Sequence, residues 1–245
     1  MAKLHLTLGD KGGIGKSFIA SLMAQYYREN MPGVQVDCLD MDPKNKTLSR
    51  YGDLNVTLID VQTDGDIDKK KFDIFVNRVL DAPDDGVVIA DVGGNIYISL
   101  TDYLRVNEIL ELLMENGVEV TLNIPIVGGG DLFPTLKTLD ELMVSTPPTV
   151  KASIWINQKN GRVEHEGKCF EESERHDDYK KRINTVCYIP LWRPDMQVDV
   201  AKMLEIPLTF EAAMLSDAFN LIGKQRLKMA KRYLYAAVER SGVCL

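Results

Sequence analysis

Lys3-Leu4-His5-Leu6-Thr7-Leu8-Gly9-Asp10-Lys11-Gly12-Gly13-Ile14-Gly15-Lys16-Ser17 reads as a strand, a glycine-rich loop and the first turn of a helix. Residues 3–8 alternate polar and apolar side chains, the period-2 pattern of a strand. Gly12, Gly13 and Gly15 let the backbone curl so that successive N–H groups face one point. Helical spacing takes over at residues 17–27, so an anion in the loop also meets a helix N-terminus. Lys16 supplies a point charge for the β and γ phosphates, and Ser17 a hydroxyl for Mg²⁺. Ile14 and Phe18 belong to the same binding segment. Each charge-assisted hydrogen bond is worth about 1.5–3 kcal/mol. A handful reaches the roughly 8 kcal/mol of micromolar ATP. The strict G-x-x-x-x-G-K-[ST] pattern fails at its first glycine, where Asp10 stands. What remains is K-G-G-x-G-K-[ST], with the extra lysine Lys11.

Two acidic motifs follow. The apolar stretch 34–39 ends in Asp40-Met41-Asp42-Pro43, and carboxylates two apart on an extended chain project to one side. One of them can orient an attacking water and the other support a metal shell. The stretch Val87-Val88-Ile89-Ala90-Asp91 is an apolar strand ending in aspartate, the Walker B arrangement, with Asp91 reaching Mg²⁺ through water. Gly93-Gly94 lets the next segment respond to the γ-phosphate. Either motif alone reads equally as a solvated turn or a plain strand end. Behind the loop, both gain weight.

Outward from these motifs, strands are expected at 34–39, 56–59, 87–90, 118–127, 150–156 and 186–191. Helices are expected at 17–27, 69–80, 100–115, 131–144, 196–204 and within 210–240. The alternation predicts an α/β fold: a mostly parallel twisted sheet flanked by helices in three Rossmann-like layers. One P-loop domain over residues 1–245 is expected, with a charged, exposed insertion at about 158–184. There, Glu164, His165, Glu166, Cys169 and His176 raise a metal site as a weak alternative to a solvated or partner-contacting segment. A lid over the nucleotide is a further reading of that insertion.

Composition narrows the class. The chain of 245 residues is 45% hydrophobic and 27% charged, with net charge −7, which opposes unassisted binding to nucleic acid or anionic membrane. Its four cysteines include no CxxC pair, which predicts reduced thiols and a cytoplasmic location. No leader-like or membrane-length apolar stretch is read.

With its three motifs, the chain resembles the MinD/ParA group of P-loop ATPases over nearly its whole length. The resemblance implies an ATP/ADP and Mg²⁺ site and an ATP-dependent homodimer. In that dimer Lys11 crosses to the nucleotide of the second subunit, Asp42 positions the hydrolytic water, Asp40 supports the metal and Asp91 is the Walker B residue. It also implies adenine recognition by Asn157 with the Ile189-Pro190 segment, and slow turnover. Met1-Ala2-Lys3, Glu164-His165-Glu166-Gly167-Lys168, Leu208-Thr209-Phe210-Glu211-Ala212 and Gln225-Arg226-Leu227-Lys228 are similar to the TraL proteins of conjugative plasmids. That similarity implies a conjugal-transfer or plasmid-maintenance role and a transfer or partition protein as partner. Asp10, and Phe18 where many relatives have a second hydroxyl, are departures from the pattern.

Near the C-terminus, Leu227, Ala230, Leu234 and Val238 form an apolar stripe. Lys224, Lys228, Lys231 and Arg232 lie on another face. A packed helix with a wet basic side is the plain reading; DNA contact through that side is the next, and membrane contact the weakest. The competing activity is phosphorylation of a small acid, as in dethiobiotin synthetases, a class generally lacking the lysine found here as Lys11. A nitrogenase-iron-protein-like carrier would need cluster cysteines after Asp91, and none stands between Asp91 and Cys169.

Overall fold

The computed structural model describes residues 1–244. The chain runs β1 (Lys3–Thr7), α1 (Lys16–Asn30), β2 (Val36–Asp40), β3 (Thr57–Leu58), β4 (Gln62–Thr63), β5 (Asp66–Ile67), α2 (Phe72–Leu80) and β6 (Val87–Asp91). It continues through α3 (Tyr97–Val106), α4 (Ile109–Glu115), β7 (Glu119–Val127), α5 (Leu132–Ser145), β8 (Lys151–Asn157), β9 (Glu164–His165), β10 (Lys168–Cys169) and α6 (Glu174–Tyr179). It closes with β11 (Ile183–Ile189), α7 (Pro194–Glu205), α8 (Phe210–Leu215) and α9 (Leu221–Ser241).

Seven strands form one sheet in the order β11-β8-β7-β1-β6-β2-β3, every neighbouring pair parallel. Both faces are covered, which is why β6 and most of β8 read as apolar runs. On one face Leu4, Leu6, Val88, Ala90, Leu122 and Ile154 pack with α2, α3, α4 and α5. On the other, Cys38, Ile89, Trp155 and Cys187 pack with α1, α7, α8 and α9. Pro125 falls beyond the last β7 residue paired with β1, where a missing N–H is tolerated. β1 is central: the chain runs from it to β2, β3 and β6 on one side and then crosses to β7, β8 and β11 on the other, so its C-terminal end lies at a topological switch point.

Several expectations are corrected. The helix expected at 100–115 is two helices. Asn107 donates its side-chain amide to the Tyr103 carbonyl, and Glu108 follows at φ 50°; a side chain competing for helix carbonyls ends the helix. The strand expected at 56–59 is only Thr57–Leu58. The insertion is not wholly solvated: Val163 and Phe170 are buried in the core under α5. His165 and Cys169 lie on the two strands of a hairpin, not on one helix face. In α9, Leu227, Ala230, Leu234 and Val238 are buried as the stripe requires, whereas Lys231 is drawn off the wet face into an ion pair with Glu29. No helix among the described residues is long and apolar enough to cross a membrane.

Candidate nucleotide-binding site

The loop after β1 is shaped by its glycines. Gly13 (φ 72°) and Gly15 (φ 101°) take left-handed conformations that other residues adopt only under strain. Ile14 is buried against Gly9, where even a Cβ would sit 2.6 Å from its side chain. Lys16 folds back so that its ammonium donates to the Lys11 carbonyl at 2.7 Å. Burial pulls its pKa below the usual lysine value, against the opposite pull of Asp91, Asp42 and Asp10. A desolvated ammonium among carboxylates at a loop of free N–H groups is a strong site for a polyanion.

The acidic residues come from neighbouring strand ends. Asp40, Asp91, Thr7, Asn123 and Ser153 occupy one register row across β2, β6, β1, β7 and β8. All five are buried. Burial raises the Asp91 pKa to about 7, against the lowering effect of a hydrogen bond from Ser17. Its Oδ1 has no protein partner. A buried carboxylate with a free oxygen beside a serine hydroxyl fits a magnesium shell. Among the described residues the carboxylates do not converge into a cage of three; Mg²⁺ commonly uses one or two plus phosphate and water.

Asp42 and Asp40 divide their work. Asp42 lines the cleft and accepts hydrogen bonds from the Lys44 and Asn45 backbone N–H groups, both at 3.0 Å, and from the Asn45 side chain at 2.9 Å. Asp40 is away from the cleft. It accepts from the Asp42 N–H at 2.9 Å, and from the Ser49 N–H and hydroxyl at 2.8 and 2.9 Å. Its carboxylate thus holds the loop that presents Asp42, rather than facing the metal position expected for it.

The cleft has a volume of about 720 Å³, ample for a nucleotide. Gly12, Gly13, Gly15, Lys16, Ser17 and Phe18 line one side, with Asp42, Asp91 and Gly94 opposite. Gly93 and Gly94 press close to Asp42 and to the Asp10 backbone respectively. Asp10 faces α5, where Thr138 donates to it at 2.8 Å. Lys11 turns from the cleft and pairs with Asp131.

The expected adenine residues do not join this cleft. Asn157 is buried and donates to the Ile14 carbonyl at 3.0 Å. Ile189 is buried under α9, and Pro190 is half-buried beyond it.

The site and fold have recognisable relatives. No protein-family model matches the chain. Two Escherichia coli proteins named Protein TraL are 32% and 34% identical to it over 244 residues, which is 99% of this chain and 100% of each of theirs. The chain belongs to the TraL family. A candidate plasmid partition protein from Borrelia burgdorferi B31, bound to AMPPNP, shares the fold at TM-score 0.51 and 14% identity, over 98% of this chain and 100% of the other. The MinD cell division protein of Aquifex aeolicus aligns at TM-score 0.47 and 13% identity, over 96% of this chain and 97% of its own.

In this TraL-family chain, some residues around the loop gave no sequence signal. Asn45, Thr47, Arg50 and Tyr51 line the cleft from the segment after β2. Lys159 donates to the Gly13 carbonyl, and Asn160 to Asp131 at 3.1 Å. Only the glycines before Asp131 hint at a tight approach, and Gly128 and Gly129 do meet the backbone of residues 160–162.

Proposed function

We propose that this chain is an ATP·Mg²⁺-binding, slowly hydrolysing switch ATPase. It works as one P-loop domain in the cytoplasm, closes into a homodimer around ATP and serves plasmid conjugal transfer or maintenance through a protein partner. The observation that carries the reading is the meeting of Lys16, Ser17 and Asp91 at the C-terminal end of β1, under the glycine loop. The family name and the AMPPNP-bound structure with this fold support it.

The loop N–H groups and Lys16 would grip the β and γ phosphates. Ser17, with Asp91 behind it, would hold Mg²⁺, which draws charge from the phosphates during transfer. Asp42 borders the same cleft and can orient a water toward the γ-phosphorus. Lys11 would serve the second subunit's nucleotide. DNA contact through Lys224, Lys228 and Arg232 is secondary, because few cations line that face.

Calorimetry of Mg·ATP with the wild-type chain and Lys16→Ala tests binding; light scattering with no nucleotide, ADP and ATP tests closure. Heat from wild type only, and a doubled mass with ATP only, is the expected pair of results. A wild type that gives no heat, or a Lys16→Ala variant that binds equally well, overturns the reading.

A further inference from the structure

The charged insertion does more than cover α5: between them lies a groove of about 550 Å³, apart from the loop and its cleft. We infer that this groove docks a linear cationic peptide segment of a partner protein, anchored by a large apolar side chain. This goes beyond the nucleotide reading and holds with or without it.

The floor is apolar, built from Leu132, Leu136, Val163 and Phe170. At its lip Phe133 is 61% exposed, with its ring edge-on to His165 at 5.2 Å. An exposed aromatic beside an apolar floor is the usual anchor of a peptide interface.

The rim sets the occupant's charge. Glu164, Glu166, Glu174 and Asp178 line the groove and are exposed. Among the described residues none of these four carboxylates has a hydrogen-bond or ion-pair partner. The other rim carboxylates are engaged: Asp140 with Arg175 at 3.0 Å, Glu172 with the Cys169 N–H at 3.0 Å. Among the described residues Lys168 is the single rim cation not held in an ion pair. Four free carboxylates around an apolar floor select a cationic, partly apolar ligand and repel DNA and anionic lipid.

The walls are preformed, which lowers the ordering loss on binding. Glu166 (φ 53°) and Gly167 (φ 77°) make a tight hairpin turn, as in type I′ loops. Arg175 and Tyr179 bind the second wall to Asp140 on α5.

The test uses a fluorescein-labelled peptide of alternating arginine and leucine around a central tryptophan, and its counterpart with glutamate for arginine. Anisotropy is read with the full chain, without nucleotide, at near-physiological salt. The arginine peptide is expected to bind at least about tenfold more tightly than its counterpart. Phe133→Ser should weaken it roughly fivefold or more, and the combined Glu164→Gln, Glu166→Gln, Asp178→Asn variant about tenfold. An equal neutralisation elsewhere on the surface, Asp81→Asn with Asp84→Asn and Asp85→Asn, should leave binding within about twofold. No binding to wild type, equal losses in the two triple variants, or an unaffected Phe133→Ser overturns the inference.

Discussion

Lys11 and Asp131 are joined in an ion pair between residues 120 apart in the chain. The hydrogen bond from Lys11 is the main cause holding the Asp131 carboxyl below the usual carboxylate range. Asn160 donates to the same carboxylate at 3.1 Å. The side chains keep 42% and 20% of their exposure, so the pair is water-screened and weak. It holds the lysine against its own chain, and under the proposed dimer reading a pair this weak would yield to the phosphates of a second subunit.

Asp131→Asn should therefore make ATP-dependent self-association tighter by a small factor, about two- to fivefold, in sedimentation velocity with Mg·ATP. Lys11→Ala should keep ATP binding and lose dimer-linked hydrolysis. Unchanged or weaker association of Asp131→Asn would mean that the pair does not restrain Lys11.

Legibility in the sequence followed range. The loop was readable because its glycines and lysines lie close together, β1 because its residues alternate, and β6 because a buried parallel strand is an apolar run. Asp64-Gly65 carries a hairpin signature in its dipeptide, and both residues have positive φ; Glu166-Gly167 forms a similar turn without that signature. The break at Asn107 depends on one side-chain hydrogen bond. The partners of Asp10, Lys11 and Asn157 are Thr138, Asp131 and the Ile14 carbonyl. Tertiary pairs of that kind leave no local pattern, so the hold of Asp40 on Ser49 was equally out of reach.

Gly94 marks the tightest backbone approach in the site. A Cβ there would lie 2.7 Å from the Asp10 carbonyl oxygen, whereas a Cβ on Gly12 meets nothing within 4 Å. Backbone yields poorly, so Gly94→Ala should lose about 1–3 kcal/mol of stability and weaken Mg·ATP binding. Gly12→Ala should stay within about 0.5 kcal/mol. Urea melts of the two variants check this; equal stability would place slack between β6 and the loop.

His5 gives the chain an acid sensitivity. It is buried, with Nε2 2.8 Å from the Tyr27 hydroxyl and Nδ1 unpartnered. Burial, then the nearby Lys3 charge, lowers its pKa from 6.5 to about 3. Between those values the unfolded chain binds a proton that the native one refuses. The His5 contribution is complete above pH 6.5 and is lost on acidification toward pH 3, with a limiting slope of about 1.4 kcal/mol per pH unit. His5→Gln can still meet Tyr27 and does not titrate, so its stability should fall less steeply between pH 6.5 and 4.5. Superimposable slopes in urea melts would assign the acid sensitivity to other groups.

Asn157 supports the loop from below. Its amide donates to the Ile14 carbonyl at 3.0 Å, and its oxygen accepts from the Lys159 N–H at 3.2 Å. A Cβ on Gly15 would come within 2.7 Å of that amide, so the loop and Asn157 are fitted to one another. A hydrogen bond of this kind contributes about 0.5–1.5 kcal/mol, or roughly two- to tenfold in affinity if the loop shape is what is lost. Asn157→Ala should then weaken Mg·ATP and Mg·tripolyphosphate by the same factor in calorimetry, because the second ligand has phosphates and no base. If ATP alone weakened and tripolyphosphate were unaffected, Asn157 would instead read adenine, and the Ile14 contact would be a resting position that the base displaces.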